Sequence, residues 1–273
     1  MSVSMQPLSM AQTQEISLGI LDFLDSYCVE HDLTYFLLGG SLIGAVRDHD
    51  LVPWDDDIDV AMPREDYERL IDEFEDTEDY RLIHMRRTEG CVYGMAKLVD
   101  RHTRYVEKYI DEQSYMGVFI DIFPLDKMME GNVAFVRRCR FLVDLYRFGF
   151  ALSKKASIGK PVKEAARRVL HVALAPFGRV KFFNCVERTF QSKPGGWLFN
   201  GWGAWGEREC GPANWFESSV PVMIRGKRYP APAGYDAWLT KVYGDYMTPP
   251  ANPTYLHGKF YLIAQGLSAT ITD

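Results

Sequence analysis

The feature that most constrains this chain is a block of negative charge running straight into a strand. From Gly39 to Pro63 it reads GGSLIGAVRDHDLVPWDDDIDVAMP, with five aspartates between residues 50 and 59, followed by Val60, Ala61 and Met62. In extended backbone, residues i and i+2 share a face, so Asp57 and Asp59 project together while Ile58 and Val60 enter the core. Parallel carboxylates repel, and an unpaired charge is costly to bury. A hard divalent cation between them removes both penalties, and an oxygen ligand set favours magnesium or manganese. An EF-hand counted from Asp55 needs glycine at its sixth place and glutamate at its twelfth, where this chain has Val60 and Asp66. A solvated turn accounts for Asp55 and Asp56, but not for the alternation after them.

Upstream, LTYFLL (33–38) reads as a buried strand that stops at Gly39-Gly40, and Ser41 reads as the cap of a helix carrying Leu42, Ile43 and Val46. A strand, turn and helix in that order aim backbone N–H groups at a phosphate. DIDVAM (57–62) is the next strand, with Pro63 in the first position of a helix whose apolar face is Tyr67, Leu70, Ile71 and Phe74. A helix over 12–31 and strands at 80–85, 92–99 and 117–125 complete the first half. Asp121 is a lone acid among Phe119, Ile120, Ile122 and Phe123. It reads as a third metal-binding carboxylate, the alternative being a strand-end cap.

After about residue 128 the periodicity turns helical, over 133–152, 161–175 and 179–191. A Gly/Trp-rich stretch, GGWLFNGWGAWGERECGPANWF, reads as an ordered irregular loop, before a hairpin over 220–232 and a last helix around 235–244. The expected fold class is α+β. Residues 1–128 form a mixed sheet with flanking helices, and 129–273 a mainly helical, Trp-rich part with a small β-hairpin, packed as one unit.

The net charge of -6 and a pI near 5.6 give no basic field for nucleic acid. Cys28, Cys91, Cys139, Cys185 and Cys210 show neither disulfide-framework nor zinc spacing and read as reduced thiols. With no leader-like start and no membrane-length apolar run, the expected location is cytoplasmic. Arg138, Arg140, Arg147 and Lys154 alternate with apolar residues at helical spacing, a pattern that suits either a solvated face or peripheral contact with an anionic membrane.

The segment GGSLIGAVRDHDLVPWDDDIDVAMPREDYERL resembles the signature of the LicD family, and KLVDRHT, GVFIDIFPLD, WFESSVPVMIRGKRYPAP and YDAWLTKVYGDYMTPP extend the resemblance over about residues 15–250. It implies a nucleotidyltransferase-like fold and transfer of a phosphorylated alcohol, phosphocholine first, from a CDP-activated donor to a glycan or lipid-linked glycan, with magnesium. Asp57, Asp59 and Asp121 would then bind metal, with Asp121 as an alternative base, and Gly40 and Ser41 would cradle a donor phosphate. Arg47 reads as a phosphate ligand or an exposed helix arginine, and Lys97 as a phosphate ligand or a solvated strand-edge lysine. Trp54 reads as a stacking platform or core. The tryptophans from Trp197 to Trp215 read as packing or a sugar platform, and His257 as an ordinary histidine. Two other readings stay open: a nucleotide-sugar glycosyltransferase, and a noncatalytic metal- and glycan-binding module.

Overall fold

The computed structural model describes residues 5–107, 110–111, 113–152, 161–191, 194–251 and 258–263. The first half runs β1 (Met5–Pro7), α1 (Met10–Glu30), β2 (Phe36–Leu37), α2 (Gly39–Arg47), β3 (Ile58–Pro63), α3 (Arg64–Glu73), β4 (Tyr80–Ile83), β5 (Ala96–Asp100), β6 (Thr103–Glu107) and β7 (Phe119–Met128). The second runs α4 (Val133–Tyr146), a π-helical turn (Arg147–Ala151), α5 (Pro161–Leu174), α6 (Arg179–Gln191), β8 (Trp197–Asn200), β9 (Cys210–Pro212), β10 (Ser219–Ile224), β11 (Lys227–Pro232), α7 (Tyr235–Tyr243) and β12 (Gly258–Ile263).

The fold is α+β. Its main sheet is mixed, in the order β2-β3-β7-β5-β4, with β8 and β9 added through β7. The long β7 organises it: β3 lies parallel along one side, while β5 pairs with Phe119–Ile122 and β8 with Leu125–Met128 on the other. α1 starts with a reciprocal cap, Ser9 Oγ accepting the Gln12 N–H at 3.3 Å and the Ser9 N–H donating to Gln12 Oε1 at 2.9 Å. It buries Ile20, Leu21 and Leu24 against the sheet. Ile58, Val60, Met62, Ile120 and Ile122 are fully buried, as apolar strand positions facing helices should be.

Several local expectations change. Only Phe36–Leu37 of the 33–38 segment is strand, in register with Ala61 and Val60 of β3. Pro63 ends β3, and α3 begins at Arg64. β5 starts at Ala96, not 92, where Gly94 lays its backbone against the Trp202 ring. The 133–152 helix is α-helical to Tyr146 and then widens into the π turn. The Gly/Trp-rich stretch is not an irregular loop throughout, since β8 and β9 extend the main sheet from within it. A three-stranded sheet, β1-β12-β6, had no clear sequence signal.

A buried charge network ties the two halves together. Arg64 on α3 donates to Asp126 on β7 at 2.8 and 2.6 Å and to Glu187 on α6 at 2.7 Å, while the Trp202 indole N–H donates to Glu187 at 2.7 Å. Burial raises Asp126 and Glu187 above the ordinary carboxylate range, with Arg64 pulling the other way.

Candidate active site

The sheet register assembles the acids. Asp59 on β3 pairs with Asp121 on β7, and Asp121 pairs on its other side with Lys97 on β5. All three side chains line one cavity. Adjacent strands lie 4.7–4.9 Å apart, so in-register residues cannot avoid one another. Carboxylate oxygens of Asp57, Asp59 and Asp121 come within 4.8 Å of each other, and those of Asp55, Asp56 and Asp57 do the same. Asp121 is therefore in the interior of its strand, not a strand-end cap.

Two local devices hold Asp59. The Ser41 hydroxyl accepts its backbone N–H at 2.9 Å, so Ser41 fixes the strand instead of capping α2. α2 starts three residues earlier than a Ser41 cap would place it, at Gly39, with Leu38 as its N-cap. Gly39 has φ +57°, and a Cβ there would overlap the Asp59 carboxylate; a Cβ on Gly40 would overlap that of Asp55. The glycine pair is thus what lets the helix start stand beside the acids. Gly39 and Gly40 line the cavity, whereas Ser41 is buried behind them.

Lys97 is not a solvated edge lysine. It is buried in an interior strand, its ammonium paired with Asp121 and lying 3.7 Å from the Phe119 ring centroid and 4.8 Å from that of Tyr93. Arg47 is not exposed either, its side chain being 9% accessible. It donates to Asp48 at 2.7 and 2.9 Å and to the Tyr246 carbonyl at 3.4 Å, and sits 5.9 Å from the Trp54 ring centroid. Trp54 is half-buried, packed on the core and part of the cavity wall. Of the tryptophans, Trp202 is core, stacked on Phe183 at 5.7 Å, whereas Trp205 is exposed at the cavity. His257 and Lys154 lie outside the described residues.

Burial, then the charges of Asp57, Asp121 and Asp55, raise Asp59 well above the ordinary carboxylate range, while Lys97 pulls the other way. A trio of crowded carboxylates with one ammonium beside it is a donor set that fits a hard divalent cation. The cavity encloses about 770 Å³, ample for a nucleotide-sized ligand. Its far wall contains residues that the motif reasoning did not single out: Asn200, Glu209 and Tyr243. The signal for Glu209 was an acid inside an otherwise Gly/Trp-rich stretch; Tyr243 lies in the YDAWLTKVYGDYMTPP segment.

A glycine turn, an acid-apolar-acid strand and a third acid on its parallel neighbour are the arrangement of a nucleotidyltransferase domain. Residues 32–141 match the family model described as LicD/FKTN/FKRP, nucleotidyltransferase domain. Over those residues the chain is similar to the nucleotidyltransferase domain of the LicD family. It is 27% identical over 252 residues to the lipopolysaccharide cholinephosphotransferase LicD of Haemophilus influenzae, covering 90% of this chain and 94% of that protein. It is also 26% identical over 115 residues to an uncharacterized protein of Rickettsia typhi, covering 38% of this chain and 36% of that one.

Proposed function

We propose that this protein is a metal-dependent phosphotransferase that moves phosphocholine from CDP-choline to a hydroxyl of lipopolysaccharide or a related glycan, releasing CMP. The observation that carries the reading is the Asp59–Asp121–Lys97 register at the cavity, beside the α2 start. The choline and lipopolysaccharide parts rest on the name of the Haemophilus relative.

Asp57, Asp59 and Asp121 would hold magnesium or manganese, which when bound neutralises charge on the donor diphosphate. The first backbone N–H groups of α2, at Gly39 and Gly40 on the cavity wall, orient a phosphate from the helix's positive end. Arg47 adds positive charge on the same wall. The acceptor oxygen attacks the phosphorus that bears choline, a new P–O bond forms, and the P–O bond to CMP breaks. The acceptor's proton passes to a carboxylate of the trio, with Asp121 the assigned acceptor and Lys97 holding it in place.

A lipid-linked acceptor calls for a membrane-facing surface, and the outer side of α5 suits one. Among the described residues no single helix is long and apolar enough to cross a membrane. Yet Val169, Val172, Phe177 and Val180 are exposed around the bend from α5 to α6, with Arg168 and Lys181 beside them. His171 and Leu174 pack the opposite side of α5 onto the π turn. An apolar face rimmed by basic residues docks on anionic lipid, here at the cytoplasmic face of a membrane.

The test is turnover: purified protein, CDP-choline, magnesium and a lipopolysaccharide acceptor, with CMP and product mass followed together. Equal amounts of CMP and phosphocholine-bearing acceptor support the reading. Turnover of a nucleotide sugar with release of the nucleoside diphosphate would replace it with glycosyl transfer.

A further inference from the structure

The far wall of the cavity holds a buried acid that the transfer chemistry does not use. Glu209 is 6% exposed, with Oε1 accepting from Asn200 Nδ2 at 3.1 Å and Oε2 from the Trp205 backbone N–H at 2.7 Å. Among the described residues it has no ion-pair partner. Arg140, the cation with the most influence on it, spends its guanidinium on the Gly203 and Ala204 carbonyls, at 3.0 and 3.2 Å, and on Asp144 at 3.4 Å. Burial lifts the Glu209 carboxyl to about 7. A Cβ at Gly203 would overlap its oxygens, so the chain gives up a side chain to seat this acid.

Aromatic rings stand beside it. Trp205 and Tyr243 line the same wall and meet edge to face, their ring centroids 5.2 Å apart at 71°. Burial, then the charges of Asp59 and Glu209, raise the Tyr243 phenol, and the ring lines the same cavity as both acids. Arg208 is 5.9 Å from the Trp205 ring centroid and competes for that ring, which leaves Tyr243 as the main aromatic surface for a ligand.

We propose that Glu209 and Tyr243, with Trp205, form a subsite for a quaternary ammonium group, so that the transferred alcohol is selected for its positive charge. A primary ammonium carries three N–H groups that each need an acceptor once water is excluded, and a ring face supplies none. A quaternary ammonium has no N–H to satisfy; a carboxylate and a ring face are what hold it. Ribitol and glycerol bring hydroxyls and no charge to offset the buried acid. The assignment rests on the CDP-donor reading above and names the end of the donor remote from the nucleotide.

The experiment compares dissociation constants of CDP-choline and of the CDP ester of 3,3-dimethylbutanol, its uncharged carbon isostere, with CDP alone as reference. The wild type is expected to bind the choline ester at least about tenfold more tightly than the isostere. Glu209→Gln should bring that preference to within about threefold while leaving CDP affinity unchanged. Should Glu209→Gln fail to fold by circular dichroism, Tyr243→Leu gives the same readout. Equal binding of the two esters by wild type, or an intact preference in the variants, overturns the subsite alone; loss of magnesium-dependent CDP binding by wild type overturns the functional reading beneath it.

Discussion

Replacing Asp59 with asparagine should make the metal-free protein more stable while removing its response to magnesium. At 4.8 Å and an effective dielectric constant near 20, each repulsion of Asp59 by Asp57 and Asp121 is worth about 3.5 kcal/mol. The charge of Asp55 adds to this, while the weaker attraction of Lys97 and proton uptake by Asp59 relieve part of it. A net gain of about 2 kcal/mol is expected for Asp59→Asn, or about 4–8 °C in Tm for a chain of this size. Its sign follows from linkage. The folded state holds this proton more tightly than the unfolded one, so the wild type loses stability as pH rises from the ordinary carboxylate range toward the raised value. The variant should show a flatter profile. Thermal unfolding in EDTA and then in millimolar magnesium, at pH 6 and pH 8, reads all of this. A variant less stable than wild type in EDTA, yet equally stabilised by magnesium, would refute the reasoning.

Gly39→Ala should lose most turnover and destabilise the fold, since the new methyl meets the Asp59 carboxylate at a positive φ; retained activity in an initial-rate assay would contradict the steric argument. Arg64→Ala should cost about 3–5 kcal/mol in chemical denaturation by leaving Asp126 and Glu187 without their cation, and a loss under about 1 kcal/mol would mean the network is dispensable. Val172→Glu with Phe177→Glu should abolish flotation of the protein with phosphatidylglycerol-containing vesicles at unchanged CDP affinity; unaltered flotation would exclude α5 as the docking face.

The acids were legible in part: Asp57 and Asp59 do come together, although Asp57 lies in the bend just before β3 and not on the strand, and an acid among Phe119, Ile120, Ile122 and Phe123 had to meet a partner. Which partner was not legible. That Asp121 stands between Asp59 and Lys97 depends on strand order and register, which no local pattern encodes. Lys97 looked like an edge residue for the same reason. Ser41 had the composition of a helix cap, but the close approach of β3 gave its hydroxyl a better use on the Asp59 N–H. The glycines between Gly195 and Gly211 resembled loop punctuation, and β8 found its place only because the far half of β7 had an open edge. Glu209 and Tyr243 reach the cavity through tertiary packing of segments far apart in the chain from the aspartates.

The central claim is a metal-assisted CDP site built on Asp57, Asp59 and Asp121. Calorimetric titration of CDP, UDP, GDP and ADP into the protein, with and without magnesium, tests it most directly, using Asp59→Asn as the control. The account predicts that CDP binds best, only with magnesium, and not to the variant. Binding of CDP that is indifferent to magnesium and to Asp59 would contradict it.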